Sequence, residues 1–589
     1  MVRVLLFACL LSGALAAEAN AALGDLVQRP GPAGCLSPVG SCLPGTALNN
    51  TTSVTVSPDG RNAYATAAYM TDAVAVFDRS ADGTLTQKPG LAGCVSETGA
   101  GPCANGTALD DPQSVVVSRD GLSVYVASAN SNSVAVFDRA ADGTLTQKAG
   151  TAGCLWSSAI GPCAGADGLD TPLSVAVSPD GGSVYVASLD GDTVVVFDRA
   201  ANGALTQKPG STGCISDAPA PPCLDGRALN GAASVTVSPD GQSVYVTSLL
   251  SDAVAIFDRS ADGTLTQKVA TAGCISETGA GPCTNGKALD RAQSMAFSPD
   301  GRSAYIGASG AVAVFDRAPN GTLAQKAGTA GCHSDDGAGP CVDGRALFDA
   351  AQSVAVSPDG QSAYVASISD AVTLFDRAAD GTLTQKPGAA GCVSETGAGP
   401  CVDGRALERP ESVTVSPDGR NAYVASYNSY AVAVFDRLGG SSGQPPASSF
   451  DTVRPVLSGL SVFPPRFRAA RRGPSIAARR PVGGRVSYRV SEAATVAFRV
   501  ERALKGRRVR GRCVKPKRSN RRARRCRRYK VLPGSFRHRG EVGRNRFKFS
   551  GRLRGRKLRP AKYRLRAVAA DKAGNRSRAQ LDRFRIVRR

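Results

Sequence analysis

Seventeen cysteines set against two histidines decide most of the chemistry open to this 589-residue chain. Sixteen of the cysteines fall in close pairs: Cys35/Cys42, Cys94/Cys103, Cys154/Cys163, Cys214/Cys223, Cys274/Cys283, Cys332/Cys341, Cys392/Cys401 and Cys513/Cys526. None of the pairs has the C-x2-C spacing of a zinc site and imidazole partners are scarce, so the pattern predicts eight local disulfides, with no metal centre and no cofactor. Such staples suit long loops that bury little of their own. Acid–base work near neutral pH falls most readily to histidine, and the first 450 residues hold only His333, beside Cys332. As a bystander it would be a solvated loop residue where other copies of the segment carry valine or isoleucine. The other reactive stretch is cationic: Lys515, Lys517, Arg518, Arg521, Arg522, Arg524, Arg525, Arg527 and Arg528 crowd around Cys526 and form a candidate polyanion-binding site.

The net charge of +23 averages two unlike parts. From Asp451 onward there are 46 Lys/Arg and 6 Asp/Glu, a net +40, which leaves −17 for residues 1–450. Residues 1–21 read as an export signal, with Arg3, an apolar run from Val4 to Leu15, and A-x-A patterns ending at Ala16 and Ala21. The run is shorter than the roughly 20 residues a membrane span needs. A secreted or cell-envelope protein without a transmembrane span is expected, and Cys9 would leave with the signal.

The elements that must position these groups are repeated. Ser-Pro-Asp-Gly starts at Ser57, Ser178, Ser238, Ser298, Ser357 and Ser416, with Ser-Arg-Asp-Gly at Ser118, and Phe-Asp-Arg follows each, from Phe77 to Phe435. Between them lie short β-branched or alternating runs punctuated by Asp-Gly turns, which read as strands and tight hairpins. Four strands per unit are expected: A (Ser-Val-x-Val-Ser), B (Tyr-Val-Ala-Ser), C (Val-x-Val-Phe-Asp-Arg) and D (Thr-Leu-Thr-Gln-Lys). Near-identical units of this length close most readily into a ring, which leaves few exposed edges. The seventh unit lacks its D strand. Gly24-Asp-Leu-Val-Gln-Arg matches Gly83-Thr-Leu-Thr-Gln-Lys, so the N-terminal segment is expected to complete the last blade, giving a seven-bladed β-propeller over 22–437.

These motifs resemble the lactonase-like propellers, the group that includes bacterial 6-phosphogluconolactonases and YVTN-type surface-layer repeats. The resemblance implies a propeller fold and places the D-to-A and B-to-C connections on one face around a channel. It also raises sugar-lactone hydrolysis, for which relatives set His, Arg and carboxylate residues around the channel mouth. The positions before strand A are Thr52, Gln113, Leu173, Ala233, Gln293, Gln352 and Glu411, so Glu411 is the one acidic member. Glu411, Arg409, Arg405 and His333 are therefore the candidate catalytic set. The cystine loops, read as D-to-A connections, repeat each other instead, with Ser-Glu-Thr-Gly-Ala-Gly-Pro-Cys at Ser96, Ser276 and Ser394. Equivalent positions suit a binding scaffold that presents an unidentified ligand or protein partner on its loop face, and lactonase activity is the alternative. Asp of Pro-Asp-Gly reads as turn chemistry, and Asp and Arg of Phe-Asp-Arg as inter-strand or inter-blade contacts.

Residues 438–451 form a Gly/Ser/Pro linker. Beyond it, runs such as Arg485–Val490 and Tyr563–Ala569 alternate apolar with Arg, and residues 452–589 are read as a β-sandwich. Its last hairpin, Tyr563-Arg-Leu-Arg-Ala-Val-Ala-Ala-Asp-Lys-Ala-Gly-Asn, resembles that of bacterial immunoglobulin-like or fibronectin type III-like modules. The overall expectation is all-β, with a cationic module that attaches to an anionic envelope polymer or glycan and carries no specific nucleic-acid reader.

Overall fold

The computed structural model describes residues 22–588 apart from 100, 159–160, 219–221, 280, 338, 398, 440–454, 471–473, 476–481, 492–493, 510–511, 541–542 and 571–576. Residues 1–21, read from the sequence as an export signal, and most of the expected linker lie outside the described residues. The chain divides into two compact units, Met1–Pro446 and Ala447–Arg589. Both are all-β, and the helices among the described residues are short 3-10 segments.

The first unit holds seven six-stranded sheets. In the first, strands Thr51–Val56, Asn62–Ala67 and Ala73–Arg79 are A, B and C. The expected fourth strand is broken in two. Leu85–Gln87 pairs with the end of C, a 3-10 turn at Gly90–Gly93 interrupts the chain, and Cys94–Ser96 pairs with the start of C. Ala104–Asn105 then adds in parallel, so the segment read as a cystine loop begins inside the sheet. The sequence reading, which ended D at Thr-Leu-Thr-Gln-Lys, missed the second half because the Gly-x-Ala-Gly before it resembles the end of a strand.

Each A strand packs on the next, and Thr51–Val56 packs on Pro410–Val415 of the seventh sheet, which closes a ring. This repeated arrangement fits a β-propeller. The core lies between the blades: Tyr64, Val74 and Val76 pack with Val115, Val124 and Phe137 of the next sheet, and equivalent clusters fill the other interfaces. The N-terminus completes the seventh sheet, with Leu26–Gln28 antiparallel to Ala431–Arg437 in the register Leu26↔Arg437.

One polar network locks all seven interfaces. Tyr64 Oη donates to Gly143 O at 2.8 Å and accepts from Arg139 Nε at 2.7 Å, while the Arg139 guanidinium reaches Asp59 at 3.0 Å. The Asp of Ser-Pro-Asp-Gly therefore does more than shape a turn: it takes a charge-assisted bond from the next blade. At the closure, Tyr364 donates to Gly24 O at 2.8 Å and accepts from Arg437, whose guanidinium pairs with Asp359. Gly24 adopts φ +84°, and a Cβ there would run into Ser362 Oγ, so this position needs glycine.

In the second unit, a three-stranded sheet of Leu457–Phe463, Gly484–Val490 and Gly543–Phe549 and a six-stranded sheet built on Ala494–Val509 share one aromatic-rich core that includes Phe498, Phe547, Phe549 and Phe584. Its longest elements are two 16-residue strands, Ala494–Val509 and Arg525–Gly540, paired antiparallel. Arg525, Arg527 and Arg528, expected in a loop, are in fact strand residues.

Candidate functional site

Eight disulfides are present, with the pairing expected from spacing: Cys35–Cys42, Cys94–Cys103, Cys154–Cys163, Cys214–Cys223, Cys274–Cys283, Cys332–Cys341, Cys392–Cys401 and Cys513–Cys526. Their setting differs from the expectation of clips on exposed loops. In the ring, the first cysteine of each pair is a buried strand residue. The second, at Cys42, Cys103, Cys163, Cys223, Cys283, Cys341 and Cys401, lies outside the strands, in the bend immediately before the short parallel strand. Cys103 and Cys163 are buried, and Cys42, Cys223, Cys283, Cys341 and Cys401 are half-buried. The reason is register. Cys35–Cys42 directly precedes the parallel pair Leu36↔Leu43, and neighbouring strands stand about 4.8 Å apart, which is close to the 4.9 Å between the two cystine Cα atoms. The cystine thus acts as one more rung at the edge of each sheet, so these fourteen cysteines are structural and leave only the segment between them as a loop.

His333 is not a solvated loop residue. It sits in strand Cys332–Ser334 opposite Val312, 3% exposed, with its ring 4.9 Å from that of Phe375. Nε2 lies 3.1 Å from Leu383 O, and buried Nδ1 has no hydrogen-bond partner. Burial pushes its pKa below the usual imidazole value, against a smaller opposing effect of the Leu383 carbonyl. An imidazole held in the core between blades cannot meet a substrate.

Arg405 also leaves the candidate set. Its backbone N–H donates to Gln28 Oε1 at 2.9 Å, Gln28 Nε2 donates to Arg405 O at 2.8 Å, and its guanidinium reaches Gly31 O. Arg345 repeats this clamp on Gln385, so Arg405 fastens the closing segment.

Arg409 and Glu411 do come together. In six of the seven blades the residue before the Ser-Val core of strand A occupies a register shift at its start, as Glu411 does between Pro410 and Ser412 and Gln113 between Pro112 and Ser114. Such bulges turn a side chain out of the sheet's alternation and recur beside functional sites. Arg409 Nε donates to Glu411 Oε1 at 2.7 Å, and its guanidinium lies 4.5 Å from the Tyr427 ring centroid. Tyr69, from the first blade, meets Tyr427 edge-on at 6.2 Å. Glu411 is shifted upward by burial, partly offset by Arg409. In the second blade, burial and then the Asp72 and Asp110 carboxylates push Asp111 up to about 6, although Gln113 Nε2 donates to it at 2.7 Å. Tyr427 is raised by burial, with smaller contributions that include Tyr69, Asp111 and Glu411. Blades seven, one and two thus share a patch of two tyrosines, one stacked cation and carboxyls held toward neutrality. Sequence reasoning found Glu411 as the acidic departure from the repeat, with Arg409 two residues before it, but missed Tyr69, Tyr427 and Asp111. Tyr69 stands in a B-to-C turn where other copies carry Asn130 or Asp190, and Tyr427 one position earlier in its own turn, where other copies carry Ala129 or Leu189; those differences were the available signal.

The basic hairpin is the second candidate. Lys515, Lys517, Arg518, Arg521, Arg522, Arg524, Arg525 and Arg527 are exposed and Arg528 is half-buried. Residues 502–540 hold 18 Lys/Arg and no Asp or Glu. Cys513–Cys526 staples the stretch with Cα atoms 6.0 Å apart. Among the described residues no group of three or more His, Cys, Asp or Glu is placed to hold a metal ion.

No family model and no curated protein matches the chain. Solved structures that are similar to it include a periplasmic gluconolactonase of Pseudomonas aeruginosa, at 22% identity over 64% of this chain and 91% of that one with a TM-score of 0.43. A putative 6-phosphogluconolactonase of Bacteroides uniformis is 21% identical over 56% of this chain and 82% of that one, with a TM-score of 0.39. Hydrazine synthase of Kuenenia stuttgartiensis is 18% identical over 68% and 98%, with a TM-score of 0.41.

Proposed function

We propose that this chain is a secreted or envelope-associated binding scaffold: a seven-bladed propeller that presents a ligand on its loop face, carried on an immunoglobulin-like β-sandwich that attaches to an anionic polymer or glycan. The observation that carries the reading is the acid-free, disulfide-stapled basic hairpin, a concentration of uncompensated charge that draws polyanions by releasing their counterions. Eight disulfides suit an oxidising compartment, and no helix among the described residues is long and apolar enough to cross a membrane. The test is retention of the full-length protein on immobilised polyanion across a salt series. Retention should fall steeply and log-linearly with salt concentration. Failure to bind at low salt, or retention indifferent to ionic strength, overturns the attachment reading.

One observation favours a second reading, a lactone hydrolase. Asp111 sits near 6, the range in which a carboxyl can exchange a proton at physiological pH, beside Asp72 and Asp110 and within electrostatic reach of Tyr427, over which the Arg409 cation lies. Under this reading the chain hydrolyses a sugar lactone with an acidic limb in its pH profile near 6, and Asp111→Asn loses at least 100-fold in kcat while retaining its melting temperature. Absence of turnover with gluconolactone in the wild-type protein rules it out.

A further inference from the structure

The two long strands of the basic unit are paired so that cations stand directly opposite cations. Across the hairpin the register is Arg507↔Arg525, Lys505↔Arg527 and Arg502↔Lys530. Like charges at directly opposed positions, with Cβ atoms about 5 Å apart, destabilise a sheet. A folding unit gains nothing from such an arrangement by itself.

The cations divide between two faces. Gly506 opposes Cys526, and a Cβ at Gly506 would run into Cys513 Sγ, so the disulfide crosses the face of the even-numbered residues of the first strand. The odd-numbered residues of that strand lie on the other face, where Lys505 and Arg525, with Arg527 and Lys562 beside them, line an open groove of about 540 Å³. At its inner end Arg564 packs 3.9 Å from the Tyr529 ring centroid and pairs with Glu501. Glu501, 3% exposed, is thereby engaged already, and none of the four groove cations has an acidic partner among the described residues.

We propose that this groove is the binding track of the attachment unit and that its ligand is a linear phosphate-bearing polymer, held along the flat of the hairpin arms and not chiefly at the loop tip. This rests on the attachment reading above. Rungs two residues apart repeat about every 6.7 Å along a strand, and each sets one cation on either side of the track. A tetrahedral phosphate directs its oxygens toward both sides of such a rung, whereas the two coplanar oxygens of a carboxylate dock on a single fork. Ala503 and Leu504, which also line it, and the aliphatic stem of Lys505 give the groove apolar surface between charges.

The experiment uses the full-length protein with inorganic polyphosphate and polygalacturonate as probes. Two variants are compared, Lys505→Ser/Arg527→Ser in the groove and Lys517→Ser/Arg518→Ser/Arg521→Ser/Arg522→Ser at the tip. Wild type should bind polyphosphate at least 10-fold more tightly than polygalacturonate. The groove variant should lose at least 10-fold in polyphosphate affinity and about two from the magnitude of its salt slope, with a melting temperature equal to or above wild type because opposed like charges are gone. The tip variant, with twice as many charges removed, should lose less. Equal loss per charge removed, or equal affinity for the two polymers, overturns the placement and the ligand class while leaving the attachment reading standing. Wild type that binds neither polymer overturns both.

Discussion

At the scale of single residues, the repeat serves as an internal control: a side chain that breaks it must answer to its new surroundings. His333 stands where other copies place Leu36, Val95, Leu155, Ile215, Ile275 and Val393. It keeps an unpartnered buried Nδ1, and a buried unpaired acceptor costs about 1 to 3 kcal/mol. His333→Val should therefore raise the melting temperature. The gain should also grow on acidification: with the folded pKa below the ordinary value of 6.5, the unfolded chain takes up a proton that the folded protein refuses, so wild type loses stability as pH falls from about 6.5 toward the folded pKa. Urea titrations of both proteins at pH 8 and pH 5 measure this, and a difference that does not widen at pH 5 contradicts the account. Sequence spacing singled out His333 but not its setting, because the strand that buries it pairs through backbone groups that no residue type advertises. Glu411 was legible as the acidic departure from the ring, with Arg409 two residues before it, whereas Asp111, at a position where other copies carry Asn50, Thr171, Gly231 or Arg291, acquires its upward shift first from burial and then from the carboxylates of Asp72, across the blade interface, and its neighbour Asp110.

At the scale of elements, the turns were the legible features. Ser-Pro-Asp-Gly and Phe-Asp-Arg located A, B and C because Asp-Gly turns and β-branched runs act locally, and the match of Gly24 to Gly83 gave the closure. The broken D strand and the 16-residue arms of the basic hairpin were less visible: dense arginine hides strand alternation, and the partners that hold Arg525–Gly540 begin some twenty residues upstream. The closure strand has the clearest consequence. Deleting residues 22–29 removes the pairing with Ala431–Arg437, the buried Leu26, the Gly24 acceptor of Tyr364 and the Arg29–Asp436 ion pair at 2.8 Å. Burial of one leucine contributes about 2 kcal/mol and each buried hydrogen bond about 1 kcal/mol, so a loss of about 3 to 5 kcal/mol is expected in equilibrium unfolding. A truncated protein that unfolds at the wild-type denaturant concentration would contradict closure by this strand.

At the scale of the whole molecule, two kinds of cross-link act at different radii. The Tyr–Arg–Asp networks join one blade to the next and contain no sulfur. The seven staples of the ring join residues seven or nine apart within a single blade, tying the second half of its split strand to the bend before the short edge strand. A disulfide closing so short a loop contributes about 2 to 3 kcal/mol in the chain-entropy model, and here that contribution restrains only the outer edge. Reduction should therefore act from the outside inward. With a thiol reductant present, native-state hydrogen exchange should quicken first at Cys94–Ser96 and its six counterparts. The B strands, such as Ser123–Ser128, in which every residue is buried, should keep their protection while the ring stays closed. The melting temperature should fall, still in one transition for the ring, because the interfaces that make it cooperative are untouched. If B-strand amides lost protection in step with the cystine segments, the staples would be holding the ring itself, and the division between an outer covalent rim and an inner polar lock would be wrong.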